Sequence, residues 1–272
     1  GGGIKGGQVI GAMEFELDES APLVESIDLA QTVGERFGLA LENTLAGIEV
    51  ARLLGVDAIE IDVRKTKDDV LVLCHDADLK RTSDSSEKVG DLTFDELQEI
   101  ILNDGESTVP SLHKALKTAG KTPVIIELKS TNVAKELHKV LADFPALDVT
   151  VVSFKLDELR RIRDENPNIR LFGLEHTKPF DIIQWAHIIK LNGVGLNFWL
   201  LNPLTYMLLK RRKLAIYAYT VNSRLLARFL QFLYPDVAIC TDHPELFINR
   251  SWTKLRKIRG KQERRKIRTK HK

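Results

Sequence analysis

The stretch AIEIDVRKTKDDVLVLCHD, residues 58–76, combines an apolar strand pattern with a group of acidic residues. Side chains alternate between two faces along a β-strand, so Glu60 and Asp62 share one face while the isoleucines and the valine beside them share the other. The polar segment KTKDD predicts a chain reversal, and VLVLCHD predicts a second strand. The stretch therefore predicts a β-hairpin with two carboxylates on one face of its first strand.

The hairpin would bring His75 beside these carboxylates in either of two registers. If Lys67 and Asp68 form a two-residue turn, Glu60 lies opposite His75, whereas a turn one residue later places Asp62 opposite His75. Two carboxylates about 5 Å apart repel by roughly 3 kcal/mol at an effective dielectric constant near 20. Inside a barrel, a divalent cation with oxygen ligands is a natural means of neutralising them. A hairpin whose charges extend into water is the alternative.

Around this hairpin, short apolar runs alternate with amphipathic helical patterns. Helices are predicted over 43–54, 93–102 and 110–120, followed by strand–helix pairs at 122–129 with 131–143, 149–154 with 155–165, 169–174 with 179–190, 193–197 with 202–212 and 214–221 with 223–233, and by a last strand at 237–241. This alternation predicts parallel strands with right-handed crossovers. Seven strands plus one upstream would form a (β/α)8 TIM barrel, distorted by the β-hairpin extension on strand 2. A doubly wound open sheet is the alternative, but no Gly-rich nucleotide loop follows any strand.

The barrel domain is predicted over residues 38–248, with different flanks at its two ends. Residues 1–37 form an atypical N-terminal segment, in which 8–17 and 26–33 are both weak candidates for the first strand. Residues 249–272 form a basic C-terminal tail. The chain has 272 residues, which suits one barrel of about 250 residues.

Charge is distributed unevenly along the chain. Residues 250–272 carry 12 Lys or Arg and one Glu, so this tail has a net charge of +11, and −9 remains for the rest of a chain of net charge +2. Such a tail suggests a tether to an anionic membrane surface or to nucleic acid; a solvated C-terminal helix is the alternative. Without a secretory signal pattern or a membrane-spanning apolar run, we expect a cytoplasmic protein, peripheral at the membrane if the tail anchors it.

The chain contains two cysteines, Cys74 and Cys240, and each lies inside an apolar run. Buried cysteines in such runs behave as small apolar side chains. Disulfides are rare in reducing compartments. We therefore expect two buried free thiols.

A third carboxylate is predicted to join the first two. In PVIIELKS, residues 123–130, Glu127 and Lys129 lie two positions apart near the carboxyl end of a strand. Barrel active sites gather at that end. Glu60, Asp62 and Glu127 would then supply three oxygen ligands, and Lys129 would point towards an anion. Three acids, a lysine and a histidine at one barrel mouth predict metal-assisted phosphoester chemistry.

These residues belong to a set of motifs that resembles the glycerophosphodiester phosphodiesterases. The resemblance spans about residues 38–246 and rests on ENT (42–44), GVDAIEIDVRKTKDDVLVLCHDADLKRTSD (55–84), IIELK (125–129), VVSF (151–154), YTVN (219–222) and TDHP (241–244). It implies a distorted TIM barrel whose second strand carries the hairpin. It also implies Mg²⁺ or Ca²⁺ held by Glu60, Asp62 and Glu127, with Lys129 near the substrate phosphate and His75 as one of two proton-transfer histidines.

By this resemblance, the chain would be a hydrolase of lipid metabolism that converts small glycerophosphodiesters to glycerol 3-phosphate and an alcohol.

The first histidine of the family should precede ENT in a His-Arg-Gly, but the segment TVGERFGLALENT (32–44) contains no histidine. Without gaps, Arg36 occupies that position; it could hold a phosphate, but its high pKa makes it a poor base. With one insertion Glu35 occupies it and could act as a base. His243, after the last strand, is a further candidate.

Three explanations of the missing histidine stay open. The chain could be a repurposed member that binds phosphodiesters or a membrane without turnover. The first forty residues could be foreign to the family, or another group could substitute for the histidine. A lysophospholipase D activity is also compatible with the motifs. The family's tryptophan before TVN is Tyr219 here, which keeps an aromatic ring at the mouth.

Overall fold

The secondary structure alternates strands and helices throughout the part of the chain that the computed structural model describes, which is residues 24–25, 42–54, 56 and 58–241. The strands there are β1 (Val24–Glu25), β2 (Ile59–Lys65), β3 (Leu71–Leu73), β4 (Val124–Leu128), β5 (Val149–Ser153), β6 (Arg170–Glu175), β7 (Gly193–Asn197), β8 (Ala215–Tyr219) and β9 (Val237–Thr241). The helices are α1 (Leu45–Leu54), α2 (Phe94–Gln98), α3 (Leu112–Ala119), α4 (Ala134–Ala142), α5 (Leu156–Glu165), α6 (Pro179–Ile189), α7 (Pro203–Arg211) and α8 (Arg224–Leu233). None of these helices has the length and apolar character that a bilayer crossing requires.

The strands form one sheet that curls into a distorted (β/α)8 barrel. Hydrogen-bonded neighbours follow the order β1-β9-β8-β7-β6-β5-β4-β2-β3, and β1 also lies against β2, so the two ends of the sheet meet. The strands of the barrel pair in parallel, and only β3 runs antiparallel, as a hairpin extension of β2. The predicted barrel and its hairpin are confirmed. Both predicted candidates for the first strand, 8–17 and 26–33, lie outside the described residues.

Alternate residues of each barrel strand pack into different cores. Outward-facing side chains such as Ile59, Ile61 and Ile126 pack under the helices in the main core. The inward-facing apolar side chains form a second cluster, made of Ala58, Ile125, Val152, Phe172, Leu174, Tyr217, Ala238 and Cys240. This alternation is the one predicted for β2, and it directs Glu60 and Asp62 into the barrel.

Glycines on β7 make room for the aromatic rings of the inner cluster. A Cβ atom at Gly193 would lie 2.4 Å from the ring of Phe172, and one at Gly195 would lie 2.3 Å from the ring of Tyr217. Both distances are too short for real contacts, so the rings occupy the space that side chains at these positions would need. The two rings therefore fill part of the barrel interior.

The register of the hairpin differs from both predictions. Val63 pairs with Leu73, and the Cys74 N–H donates to the Asp62 carbonyl at 3.0 Å, so Asp62 lies opposite Cys74. The reversal is a wider turn than expected, closed by the Thr66 N–H donating to the Val70 carbonyl at 3.0 Å. Since β3 ends at Leu73, the following loop, and not strand alternation, sets the direction of His75.

An insertion between β3 and α3 carries its own small apolar core, which includes Cys74. A capping box begins α2, because the Thr93 side chain accepts from the Glu96 N–H and the Glu96 carboxylate accepts from the Thr93 N–H. The helix lies within this insertion and ends at Gln98, earlier than the predicted 102. Cys74 and Cys240 are buried thiols that form no disulfide, as predicted.

Candidate active site

The three predicted carboxylates lie together inside the barrel. Glu60 and Asp62 come from the inward face of β2, and the register of the parallel pair places Glu127 of β4 directly beside Asp62. One carboxylate oxygen from each residue lies within 4.8 Å of the others. Glu60 and Asp62 are only 8% and 2% exposed. The structure thus forms a buried acidic cluster with the geometry of a cation site.

Lys129 lies inside this cluster as its positive partner. Its Nζ atom is 2.6 Å from Oε1 of Glu127 and 3.1 Å from Oδ1 of Asp62. Burial alone would lower the pKa of Lys129, but Asp62 and Glu127 raise it above the ordinary value, so the ammonium stays charged. Burial, and then the charge of Asp62, raise the pKa of Glu127.

The charge balance of the cluster fits a divalent cation. Lys129 contacts Asp62 and Glu127, and buried charges need compensation. The ligand set consists only of carboxylate oxygens, which are the hard ligands that Mg²⁺ and Ca²⁺ prefer. Glu60, Asp62 and Glu127 could therefore hold such an ion, with Lys129 left to contact an anion beside it.

Asn43 fixes the position of Asp62 from the start of α1. Its Nδ2 donates to Oδ2 of Asp62 at 3.1 Å, and its Oδ1 accepts from the Asp62 backbone N–H at 3.1 Å. The residue adopts a φ of 48°, a left-handed conformation that asparagine tolerates. By sequence, Asn43 and Thr44 are alternative candidates for the helix cap; Thr44 takes that role, since its hydroxyl accepts from the Gly47 N–H at 3.1 Å.

His75 belongs to a chain of polar side chains that ends at the buried Glu42, in the turn before α1. Its Nδ1 lies 2.8 Å from Oδ1 of Asp76, and Oδ2 of Asp76 accepts from Nε of Arg81 at 2.7 Å. Arg81 also donates from NH1 to the buried Glu42 at 2.7 Å. Burial alone would raise the pKa of Asp76, but the bonds from His75 and Arg81 hold it below its usual range. Because Asp76 engages Nδ1, Nε2 is the ring nitrogen left for proton transfer.

Four of these supporting residues were not predicted as site residues: Glu42, Asn43, Asp76 and Arg81. All four are polar residues inside the motif segments 42–44 and 55–84, and that placement is the only signal in the sequence that could have identified them. The predictions for Glu35, Arg36, His243 and the basic tail 250–272 lie outside the described residues.

Phe154, His176 and Tyr219 form an aromatic group at the carboxyl ends of β5, β6 and β8. His176 follows β6 and stacks on Phe154 with ring centroids 4.2 Å apart. The Tyr219 hydroxyl donates to the Glu175 carbonyl at 2.9 Å, which keeps its ring at the mouth, where the sequence predicted an aromatic residue. Since β6 is on the far side of the barrel from β2, His176 does not join the acids.

Known proteins resemble this chain in sequence and in fold. Residues 34–246 match the model of the glycerophosphoryl diester phosphodiesterase family. The Bacillus subtilis protein YhdW is 30% identical over 234 residues, covering 78% of this chain and 93% of that protein. A glycerophosphodiester phosphodiesterase of Caldanaerobacter subterraneus is 26% identical over 224 residues, covering 76% and 91%.

Among solved structures, an Oleispira antarctica phosphodiesterase in complex with the product sn-glycerol-3-phosphate has a TM-score of 0.71 at 22% identity, covering 77% of this chain and 91% of that one. A glycerophosphodiester phosphodiesterase from Thermotoga maritima has a TM-score of 0.67 at 21% identity, covering 78% and 93%. These likenesses establish the TIM-barrel fold. The family model covers well over half of the chain, and the range that it matches includes the three residues of the buried acidic cluster. This chain therefore belongs to the glycerophosphoryl diester phosphodiesterase family.

Proposed function

We propose that this chain is a divalent-cation-dependent hydrolase that converts glycerophosphodiesters to glycerol 3-phosphate and an alcohol. The observation that carries this proposal is the cluster of Glu60, Asp62 and Glu127, whose ligand oxygens lie within 4.8 Å of one another beside Lys129. The activity by which the Caldanaerobacter subterraneus relative is named supports it, and so does the product bound in the Oleispira antarctica structure.

In this proposal, each polar group of the site has a separate task. Glu60, Asp62 and Glu127 hold Mg²⁺ or Ca²⁺, which would supply Lewis-acid stabilisation of charge on the phosphoryl oxygens. Lys129 stays charged and places its ammonium beside the phosphate. Asn43 keeps the Asp62 carboxylate in position through two hydrogen bonds. Buried, preoriented charges of this kind stabilise a transition state without reorganising during the reaction.

His75 is the proposed proton-transfer group. Asp76 binds Nδ1, so the Nε2 side of the ring can exchange a proton with the attacking water or with the leaving alcohol. Arg81 and Glu42 hold Asp76 in turn, so the ring is oriented by contacts that begin at the buried Glu42. These three residues act on the reaction only through the imidazole and are positioning residues.

Among the described residues, the structure places one histidine near the acids, whereas the family mechanism uses two. Of the histidines in the described residues, His113, His138 and His187 lie on helices and His176 lies across the barrel, which leaves only His75 near the acids. Loss of one such group typically lowers the rate about 10²–10⁴-fold. We propose that Arg36 contacts the phosphate and that turnover is slow. The second candidate function, phosphodiester binding without turnover, rests on the same observation.

The test is the release of glycerol 3-phosphate from glycerophosphocholine with Mg²⁺ or Ca²⁺. Glu60→Gln should abolish the cation-dependent rate, and His75→Ala should lower it by about 10²–10⁴-fold. His113→Ala is the matched control, because His113 is exposed and pairs with Asp143 on the outer surface. Turnover that neither Glu60→Gln nor His75→Ala reduces would falsify the site assignment.

The same assay separates the two candidate functions. A chain that shows no turnover but is thermally stabilised by the cation supports the binding function. Arg36→His restores the histidine that the family motif requires, so it should raise the rate if the first segment is correctly placed. No gain from Arg36→His would mean that the whole segment, and not one side chain, differs from the family.

A further inference from the structure

The outward face of α8 is apolar, which reverses the pattern expected of a helix on a water-exposed barrel. Leu225, Phe229 and Phe232 follow each other at spacings of four and three residues, so they share one face. Their exposed fractions are 80%, 57% and 84%. The opposite face, with Ala227 and Leu230, is buried against the barrel. We call Leu225, Phe229 and Phe232 the α8 stripe.

The α8 stripe lies in a sector of the barrel that is both apolar and basic. Among the described residues, all the large exposed apolar side chains except Ile101 and Phe154 lie between positions 180 and 233. Residues 178–236 carry eight Lys or Arg and two Asp, a net charge of +6. Residues 42–177 carry 18 Lys or Arg and 26 Asp or Glu, a net charge of −8. Exposed apolar surface and positive charge therefore coincide on the side formed by α6, α7 and α8.

Two arginines border the stripe. Arg224 and Arg228 each precede a stripe residue by one position, are four residues apart and are both exposed. Arginine can lay its aliphatic stem along apolar surface while its guanidinium stays in a polar layer. An apolar face edged with basic residues is the arrangement by which helices lie in the interface of an anionic bilayer. We propose that the sector of α6–α8 docks on an anionic lipid surface, with the α8 stripe entering the boundary between headgroups and acyl chains.

Electrostatic repulsion disfavours two other occupants of this face, a second copy of the chain and the basic tail 250–272. In a two-fold contact between copies of the chain, the same patch faces itself, so the arginines of both copies would be brought together. The basic tail 250–272, with its net charge of +11, would be repelled by a sector of net charge +6. An anionic lipid surface complements both the apolar stripe and its arginine border.

The proposed docking also orients the barrel. Trp199 is 79% exposed in the turn after β7, and Leu225 is in the first turn of α8, just after β8. Both positions are at the carboxyl end of adjacent strands, which is the end that holds the acidic cluster. Tryptophan is enriched at membrane interfaces. The docked face thus reaches the rim of the mouth, so that the mouth opens beside the lipid surface.

Vesicle binding by the full chain tests this proposal. The probes are vesicles of phosphatidylcholine with and without phosphatidylglycerol, and the measurement is co-sedimentation. Replacing Leu225, Phe229 and Phe232 together by serine should reduce partitioning onto anionic vesicles by about 100-fold, because three apolar side chains no longer enter the bilayer. Arg224→Gln with Arg228→Gln should reduce it by about 30-fold on anionic vesicles only. Ile101→Ser, at an exposed apolar position outside the sector, is the matched control.

A labelled position shows which face touches the lipid, even if the tail also binds. Since both native cysteines are buried, an environment-sensitive fluorophore can be attached selectively at Phe232→Cys or at Ile101→Cys. Anionic vesicles should shift the emission at position 232 to shorter wavelength and leave position 101 unchanged. Equal binding by the serine variant and the parent, or no shift at position 232, overturns the proposal. The proposal is also overturned if sedimentation velocity shows a monomer–dimer equilibrium that the serine substitutions abolish. A second copy of the chain would then be the occupant of this face.

Discussion

Replacing Glu127 by Gln should stabilise the cation-free protein slightly while removing its response to cations. The distance limit of 4.8 Å within the acidic cluster gives at least about 3.5 kcal/mol of repulsion between Glu127 and each of the other two acids at an effective dielectric constant near 20. The contact of 2.6 Å with Lys129 offsets about 6 kcal/mol of this repulsion on the same scale. Gln removes both the repulsion and the attraction, so the electrostatic gain in stability is only about 1 kcal/mol. Burial of the charged carboxylate, which raises the pKa of Glu127, also costs stability, and Gln removes that cost as well.

Thermal unfolding with and without Mg²⁺ or Ca²⁺ measures both effects. For a domain of this size, about 1 kcal/mol shifts Tm by about 2–4 °C, so the cation-free variant should melt slightly above the parent. At a cation concentration about a hundred times its Kd, binding should stabilise the parent by about 2.7 kcal/mol, equivalent to roughly 5–10 °C. The variant should lose this shift, because a neutral amide replaces one of three anionic ligands.

Glu165→Gln is the matched control, since Glu165 is an exposed residue at the end of α5. It should keep the full response to the cation. If Glu127→Gln were stabilised by the cation as strongly as the parent, the acidic cluster would not be the binding site. A cation-free variant that melts well below the parent would show that attraction to Lys129 outweighs the repulsion among the three carboxylates.

Three further predictions concern separate parts of the barrel. Burial raises the pKa of the Cys74 thiol to about 12, so alkylation followed by mass spectrometry should label Cys74 quickly only in denatured protein. Gly195→Ala should lower stability by about 1–3 kcal/mol, because a Cβ there would lie 2.3 Å from a tyrosine ring, whereas Gly90→Ala, with its nearest atom at 3.9 Å, should leave Tm unchanged. Asp76→Asn should lower kcat about tenfold or more with little change in KM, since it disturbs the orientation of His75; an altered KM with normal kcat would contradict a positioning role.

The acidic cluster could be predicted because it depends on strand periodicity. Period two alone places Glu60 with Asp62, and Glu127 with Lys129, on the inward faces of their strands. Parallel strands in chain order then bring β2 next to β4, since the antiparallel β3 leaves the barrel as a hairpin. Each step uses local pattern and short-range topology, which a single sequence records.

The environment of His75 could not be predicted in the same way. The register of the hairpin depends on how Thr66 closes the turn, a choice between conformations of similar energy that composition does not fix. The contact between Arg81 and Glu42 joins residues 39 positions apart, and it forms only once the insertion has folded. Local sequence suggests a helix-capping role for Asn43, but the tertiary fold pairs its side chain with Asp62 instead.

The rings of Phe172 and Tyr217, which fill part of the barrel interior, restrict the routes by which small molecules can enter and leave. Phe172 and Tyr217 are buried in the inner cluster, and their rings occupy the space beside Gly193 and Gly195, so this part of the barrel interior is filled. In the proposed reaction, glycerol 3-phosphate must leave by the opening through which the next diester arrives. Retained product would therefore exclude fresh substrate, so added glycerol 3-phosphate should act as a competitive inhibitor.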